Sequence, residues 1–204
     1  MLASPLVNSS VSQKSTPGFL VAAVLLAAAI SGCGGSGEMQ DASEPSGSYE
    51  VAISKVTFPR KQGLGETSKL VITVQNTGTH EVPDITMTVN GLDYRTTEPG
   101  VADPVRPVWV VNAGPINGAT AYVNTWALGP LAAGDERSFI WSLSATQPGT
   151  RTLEYRAGAG LNGKARAVTA GGGVPAGTLT VNVTRRPQDS IVDPATGQVI
   201  QKGE

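Results

Sequence analysis

The sequence predicts an all-β protein, a sandwich of about 7–9 short antiparallel strands. Three observations carry that prediction. Apolar and polar residues alternate in five separate segments, the period of strands with one face against a core. Turn residues stand between those segments, in a chain with 25 Gly and 14 Pro. After residue 33 there is no sustained i, i+3, i+4 apolar pattern. That removes the crossover helices a parallel α/β fold needs.

The first strand is Glu50–Phe58, ended by Pro59. Its alternation slips near Ser54–Val56, which predicts a bulge there. Leu70, Ile72 and Val74 then alternate with Val71, Thr73 and Gln75, and Ile85, Met87 and Val89 with Thr86, Thr88 and Asn90. Phe139, Trp141 and Leu143 form the next inward set, followed by Leu153, Tyr155 and Ala157, then Leu179, Val181 and Val183. Val108–Val111 and Ala121–Leu128 are weaker strand candidates. Asn76-Thr77-Gly78, Asn90-Gly91, Leu131–Asp135 and Gln147-Pro148-Gly149 supply the turns. Gly158–Gly177 is a long glycine-rich connection or hairpin, with Lys164–Thr169 strand-like inside it. Residues 187–204 form a polar tail expected to be disordered, the alternative being an edge strand at Gln198–Gln201.

The N-terminal region has a different physics. Phe19–Ile30 is an unbroken apolar run. As a helix it is about 18 Å long, against the about 30 Å of a bilayer core. A signal segment fits that length better than a membrane span. Lys14 gives a positive flank, and Ser31, Gly32 and Cys33 follow the run. This arrangement resembles the lipobox of exported bacterial lipoproteins. The resemblance implies cleavage between Gly32 and Cys33 and a covalent lipid on Cys33. It also implies a chain held at the outer face of the cytoplasmic membrane or cell envelope. Cys33 is the only cysteine, so no intramolecular disulfide forms and the exported domain is held by its core alone. Residues 34–48 are rich in Gly, Ser and acids and are expected to act as a flexible tether, a coil spanning roughly 20–23 Å. Its acids Glu38, Asp41 and Glu44 are expected to be repelled by anionic lipid. The predicted organisation is therefore signal 1–32, lipidated Cys and linker 33–48, β-sandwich 49–186 and tail 187–204.

Within the sandwich, Gly65–Gly78 with Pro83–Val89, then Leu131–Trp141 and Pro148–Arg156, resembles bacterial immunoglobulin-like domains of the cell-adhesion-related repeat family. The resemblance implies an immunoglobulin-like antiparallel β-sandwich that serves as an interaction domain. The segment between Asn90 and Leu128 is longer than in that repeat.

Candidate chemistry is sparse. With 15 Lys+Arg against 16 Asp+Glu and no basic patch, the composition argues against nucleic acid as a partner. Gly158-x-Gly160-x-x-Gly163 has the spacing of a dinucleotide loop but opens onto a strand, whereas a pyrophosphate needs a helix N-terminus. His80 is the only histidine and lies in a turn. A zinc site or a Ser–His–acid set therefore lacks its parts. Asp84, Asp93, Glu98, Asp103, Asp135 and Glu136 lie on loops without the spacing of a calcium loop. No catalytic residue, metal or cofactor is expected beyond the lipid on Cys33. The residue types of binding surfaces gather in the long central segment: Tyr94, Arg95, Arg106, Trp109, Tyr122 and Trp126. The expected function is non-catalytic, an interaction domain for an envelope protein or for adhesion. The alternative is a polysaccharide- or cell-wall-binding module using those aromatics, and a hydrolase built on His80 ranks last.

Overall fold

The computed structural model describes residues 43–201 apart from 98, 101 and 188. The predicted signal segment, Gly32, Cys33 and most of the tether lie outside the described residues. The strands are β1 (Gly47–Thr57), β2 (Lys61–Gly63), β3 (Thr67–Asn76), β4 (Thr86–Asn90), β5 (Arg95–Thr97), β6 (Val105–Pro107), β7 (Trp109–Ala113) and β8 (Ala119–Tyr122). They continue with β9 (Thr125–Ala127), β10 (Glu136–Ala145), β11 (Gly149–Gly158), β12 (Ala165–Val168), β13 (Ala176–Thr184), β14 (Ser190–Val192) and β15 (Val199–Gln201). Among the described residues there is no helix.

Two sheets make the sandwich. One has the order β12-β1-β3-β10-β7 and the other β2-β13-β11-β4-β9-β8. Take β1, β3, β4, β7, β10, β11 and β13 as strands A to G. The sheets then read A-B-E-D and C-F-G, the arrangement of an immunoglobulin-like sandwich. Four short strands extend it: β9 and β8 continue antiparallel beyond β4, and two edge strands pair in parallel. β12 joins β1, and β2 joins β13, in parallel. They cover the free backbone groups of those edges.

The inward sets are the ones the alternation predicts. Leu70, Ile72, Val74, Ile85, Met87, Val89, Phe139, Trp141, Leu143 and Leu153 are all buried. At the centre Trp141 stacks on Phe139 with ring centroids 5.9 Å apart and meets Trp126 edge-on at 5.3 Å. The expected bulge in the first strand is present, as a register shift between Ile53 and Lys55 against β3. Buried Asn76 ties two loops together: its Nδ2 donates to the carbonyls of His80 and Leu131, and its Oδ1 accepts from Gly78 N.

Three expectations need correcting. Ala121–Leu128 is not one strand. It turns at Val123-Asn124 to form the β8–β9 hairpin, with Asn124 at φ 60°. Asn tolerates that left-handed conformation, so the turn needs no glycine. The strand expected at Gln198–Gln201 exists, but it pairs with β14 in a hairpin of its own rather than with an edge of the sandwich. The tail expected to be disordered thus carries local structure, closed by Asp193, whose carboxylate accepts from Ala195 N and Thr196 Oγ1. Finally, the tether does not run free to residue 48. It is fixed at Glu44, as described below.

Candidate functional site

The outer face of the second sheet is built by alternation. In β4, Met87 and Val89 point inward, so Thr86 and Thr88 point outward. Register carries the same face across the sheet. Thr88 lies opposite Thr125 of β9 and opposite Arg156 of β11, and Thr86 lies opposite Gly158. The Thr88 and Thr125 hydroxyls are hydrogen-bonded at 2.9 Å. A side chain at Gly158 would collide with Thr86 Oγ1, so the floor stays open only with glycine there.

Over this floor the chain leaves β11, runs through the glycine-rich loop to β12, and returns to β13. The space between is an open cleft of about 760 Å³. Arg156 projects from its floor, Arg166 lines it from β12, and Tyr122 from the β8–β9 hairpin stands at its side, 51% exposed. Among the described lining residues none is acidic. Both guanidiniums are exposed, and neither takes part in an ion pair among the described residues. In a chain of net charge −1, this cleft is a local concentration of unneutralised positive charge beside hydroxyls and an aromatic ring.

The loop that walls the cleft has a chemistry of its own. Glu44 is buried against the Gly158–Gly163 loop. Its carboxylate accepts from the backbone N–H groups of Leu161 at 2.8 Å, Asn162 at 2.6 Å and Ala165 at 2.6 Å. Burial alone would raise this carboxyl, but the N–H groups of Ala165, Asn162, Leu161 and Lys164 outweigh it and hold the pKa below the ordinary value. Successive backbone donors of this kind make an anion-binding concavity without any helix. A Cβ on Gly160 would overlap the carboxylate itself. The G-x-G-x-x-G spacing thus serves a carboxylate rather than a nucleotide.

The six residues singled out from sequence do not converge. Only Tyr122 reaches the cleft. Trp126 is drawn into the core by Trp141. Trp109 is 2% exposed, and its indole N–H is satisfied by Gln62 Oε1 at 2.9 Å, which lets the whole ring be buried beside Phe58. Neither tryptophan offers a ring face for a ligand to stack on. Tyr94, 57% exposed, borders a second depression of about 340 Å³ with Arg151 and Glu154 in its wall. Arg95 and Arg106 sit on the β5–β6 arm, where Gln147 Nε2 donates to the carbonyls of Thr96 and Arg106. His80 is exposed, with Nδ1 3.1 Å from Thr79 Oγ1. Among the described residues no group of three His, Cys, Asp or Glu is placed to hold a metal ion.

Fold and site together define an immunoglobulin-like β-sandwich with a cationic, hydroxyl-lined cleft on the outer face of its C-F-G sheet. No family model matches the chain. No curated protein matches it either. Among solved structures, the chain is similar to the CARDB domain of the PF1109 protein from Pyrococcus furiosus, crystallised in complex with di-metal ions. Identity is 15%, covering 68% of this chain and 96% of that one, with a TM-score of 0.43. It is also similar to the PapD-like domain 7 of human CEP192, at 14% identity over 88% of this chain and 99% of that one, with a TM-score of 0.37. These are distant likenesses of architecture and carry nothing about what this chain binds.

Proposed function

We propose that this chain is a non-catalytic lipoprotein of a bacterial cell envelope, presenting its immunoglobulin-like domain as an interaction module with the Arg156–Tyr122 cleft as binding face. The observation that carries this is the cleft itself: two exposed guanidiniums, neither in an ion pair among the described residues, and three threonines with no acid among the described lining. Exposed arginines on a rigid sheet are binding groups ready for use, since their geometry is fixed by the strands beneath them. The anchor is supported by the apolar run Phe19–Ile30 followed by Ser31-Gly32-Cys33. A lipid with two or more chains gives the stable attachment that one chain does not. The non-catalytic role is supported by the setting of His80, whose ring has Thr79 beside it on an exposed turn and no third group to orient it among the described residues.

The test separates anchor from cleft. Cys33→Ala is expected to move the protein out of the detergent phase while it still sediments with isolated envelopes. Adding Arg156→Glu to that variant is expected to lower the sedimented fraction at least about tenfold, because a like charge set against an acidic partner costs several kcal/mol of binding. Detergent partitioning unaffected by Cys33→Ala refutes the anchor. Equal sedimentation of the two variants refutes the cleft.

A further inference from the structure

We propose that the cleft takes a carboxylate-bearing saccharide, with Arg156 and Arg166 binding its acid groups, the threonine floor its hydroxyls and Tyr122 a sugar face. This rests on the cleft being the binding face and names its ligand class. Three observations lead there. First, the charge is one-sided: two guanidiniums and, among the described lining residues, no carboxylate. A ligand of opposite sign is therefore required, and the fork of an arginine matches a carboxylate with two parallel hydrogen bonds.

Second, the floor is hydroxyl chemistry. Thr88 and Thr125 are hydrogen-bonded at 2.9 Å and Thr125 Oγ1 donates on to the Val123 carbonyl at 3.5 Å, so each oxygen keeps lone-pair capacity to accept from a ligand. Such groups suit a ligand that is itself a row of hydroxyls. Tyr122 supplies an exposed apolar ring with a polar tip, a side chain that can lie against a sugar face. An acidic peptide would use the arginines but would meet the threonine row with scattered backbone groups rather than a row of hydroxyls.

Third, the loop that walls this cleft already holds a carboxylate, buried outside the lining, on its backbone donors. Gly160, Leu161, Gly163 and Ala165 line the cleft, and the same loop holds Glu44 through backbone donors at 2.6–2.8 Å. Glu44 is an internal ligand. Its seat shows that this wall stabilises a carboxylate, and its occupancy leaves Arg156 and Arg166 as the groups open to an external one.

The experiment is calorimetric titration of the full-length chain in detergent with polygalacturonate, neutral dextran and polyglutamate. Polygalacturonate is expected to bind, dextran not to bind, and polyglutamate to bind at least tenfold more weakly than polygalacturonate. R156A/R166A is expected to weaken polygalacturonate at least tenfold with an unchanged thermal midpoint, because both side chains are exposed. Polygalacturonate binding unaltered in R156A/R166A overturns the proposal and the cleft with it. Polyglutamate binding as tightly through the same arginines overturns the saccharide and leaves the cleft standing. Absence of binding by all three also overturns the saccharide, and the sedimentation of C33A against C33A/R156E then decides the cleft separately.

Discussion

Trp141→Ala is expected to destabilise the domain by about 3–5 kcal/mol, the usual cost of emptying a buried tryptophan site. Trp141 is fully buried, and its ring is the contact between Phe139 on its own strand and Trp126 on the opposite sheet. Truncation removes two aromatic contacts and leaves a cavity that rigid strands on both sides cannot close. With domain stabilities of about 5–15 kcal/mol, a third or more of the total is at stake. Trp141→Phe is the discriminating companion. The indole Nε1 of Trp141 has no hydrogen-bond partner among the described residues, so the smaller ring gives up packing but no polar contact. Its expected cost is under about 2 kcal/mol. Urea midpoints of the two variants give the comparison. Equal losses would mean that ring volume is not what holds the sheets together.

Glu44→Gln is expected to cost about 2–4 kcal/mol, from loss of charge-assisted hydrogen bonds to several backbone donors. An amide presents its own N–H₂ to that loop and cannot satisfy them all. Gly160→Ala is expected to act in the same direction, because the added methyl occupies the carboxylate's place. The pH dependence has a definite sign. Glu44 has a folded-state pKa held below its ordinary value. Its stabilisation is therefore complete above the unfolded pKa of about 4.3. It disappears as pH falls through the lower folded value. The wild-type chain should show a flat contribution from pH 7 to 5 and a loss below about pH 4. Urea midpoints against pH in Glu44→Gln should lack that acid step. An acid step of the same size in the variant would show that other carboxylates account for it.

Much of the sandwich was legible because alternation is a local signal. Leu70–Val74, Ile85–Val89 and Phe139–Leu143 each declare their inner face without reference to any partner. What escaped depends on distant pairs. Trp109 and Trp126 look alike in a segment without alternation, and their burial is decided by Gln62 and Trp141, which sequence spacing does not bring near them. Glu44 looks like one more solvated acid in a Gly/Ser-rich stretch. Its partners are backbone N–H groups more than a hundred positions away, and backbone donors leave no trace in residue type. The G-x-G-x-x-G spacing was the available signal. It marks a loop that brings several N–H groups to one point, and only the nature of the anion differs. Arg156 and Arg166 escaped because each is an ordinary outward residue of a strand. The parallel pairing of β12 with β1 brings Arg166 to the lining of the same cleft as Arg156.

On the proposed reading, the threonine- and arginine-lined cleft is the face this domain offers its partner. Hydrogen exchange of the full chain in the envelopes of its own host, compared with the same chain in detergent, tests it most directly. The cleft predicts added protection confined to peptides spanning residues 84–90, 119–127 and 154–174. Protection instead on the opposite sheet, over Val71 and Ile140, with the cleft peptides unchanged, would contradict it.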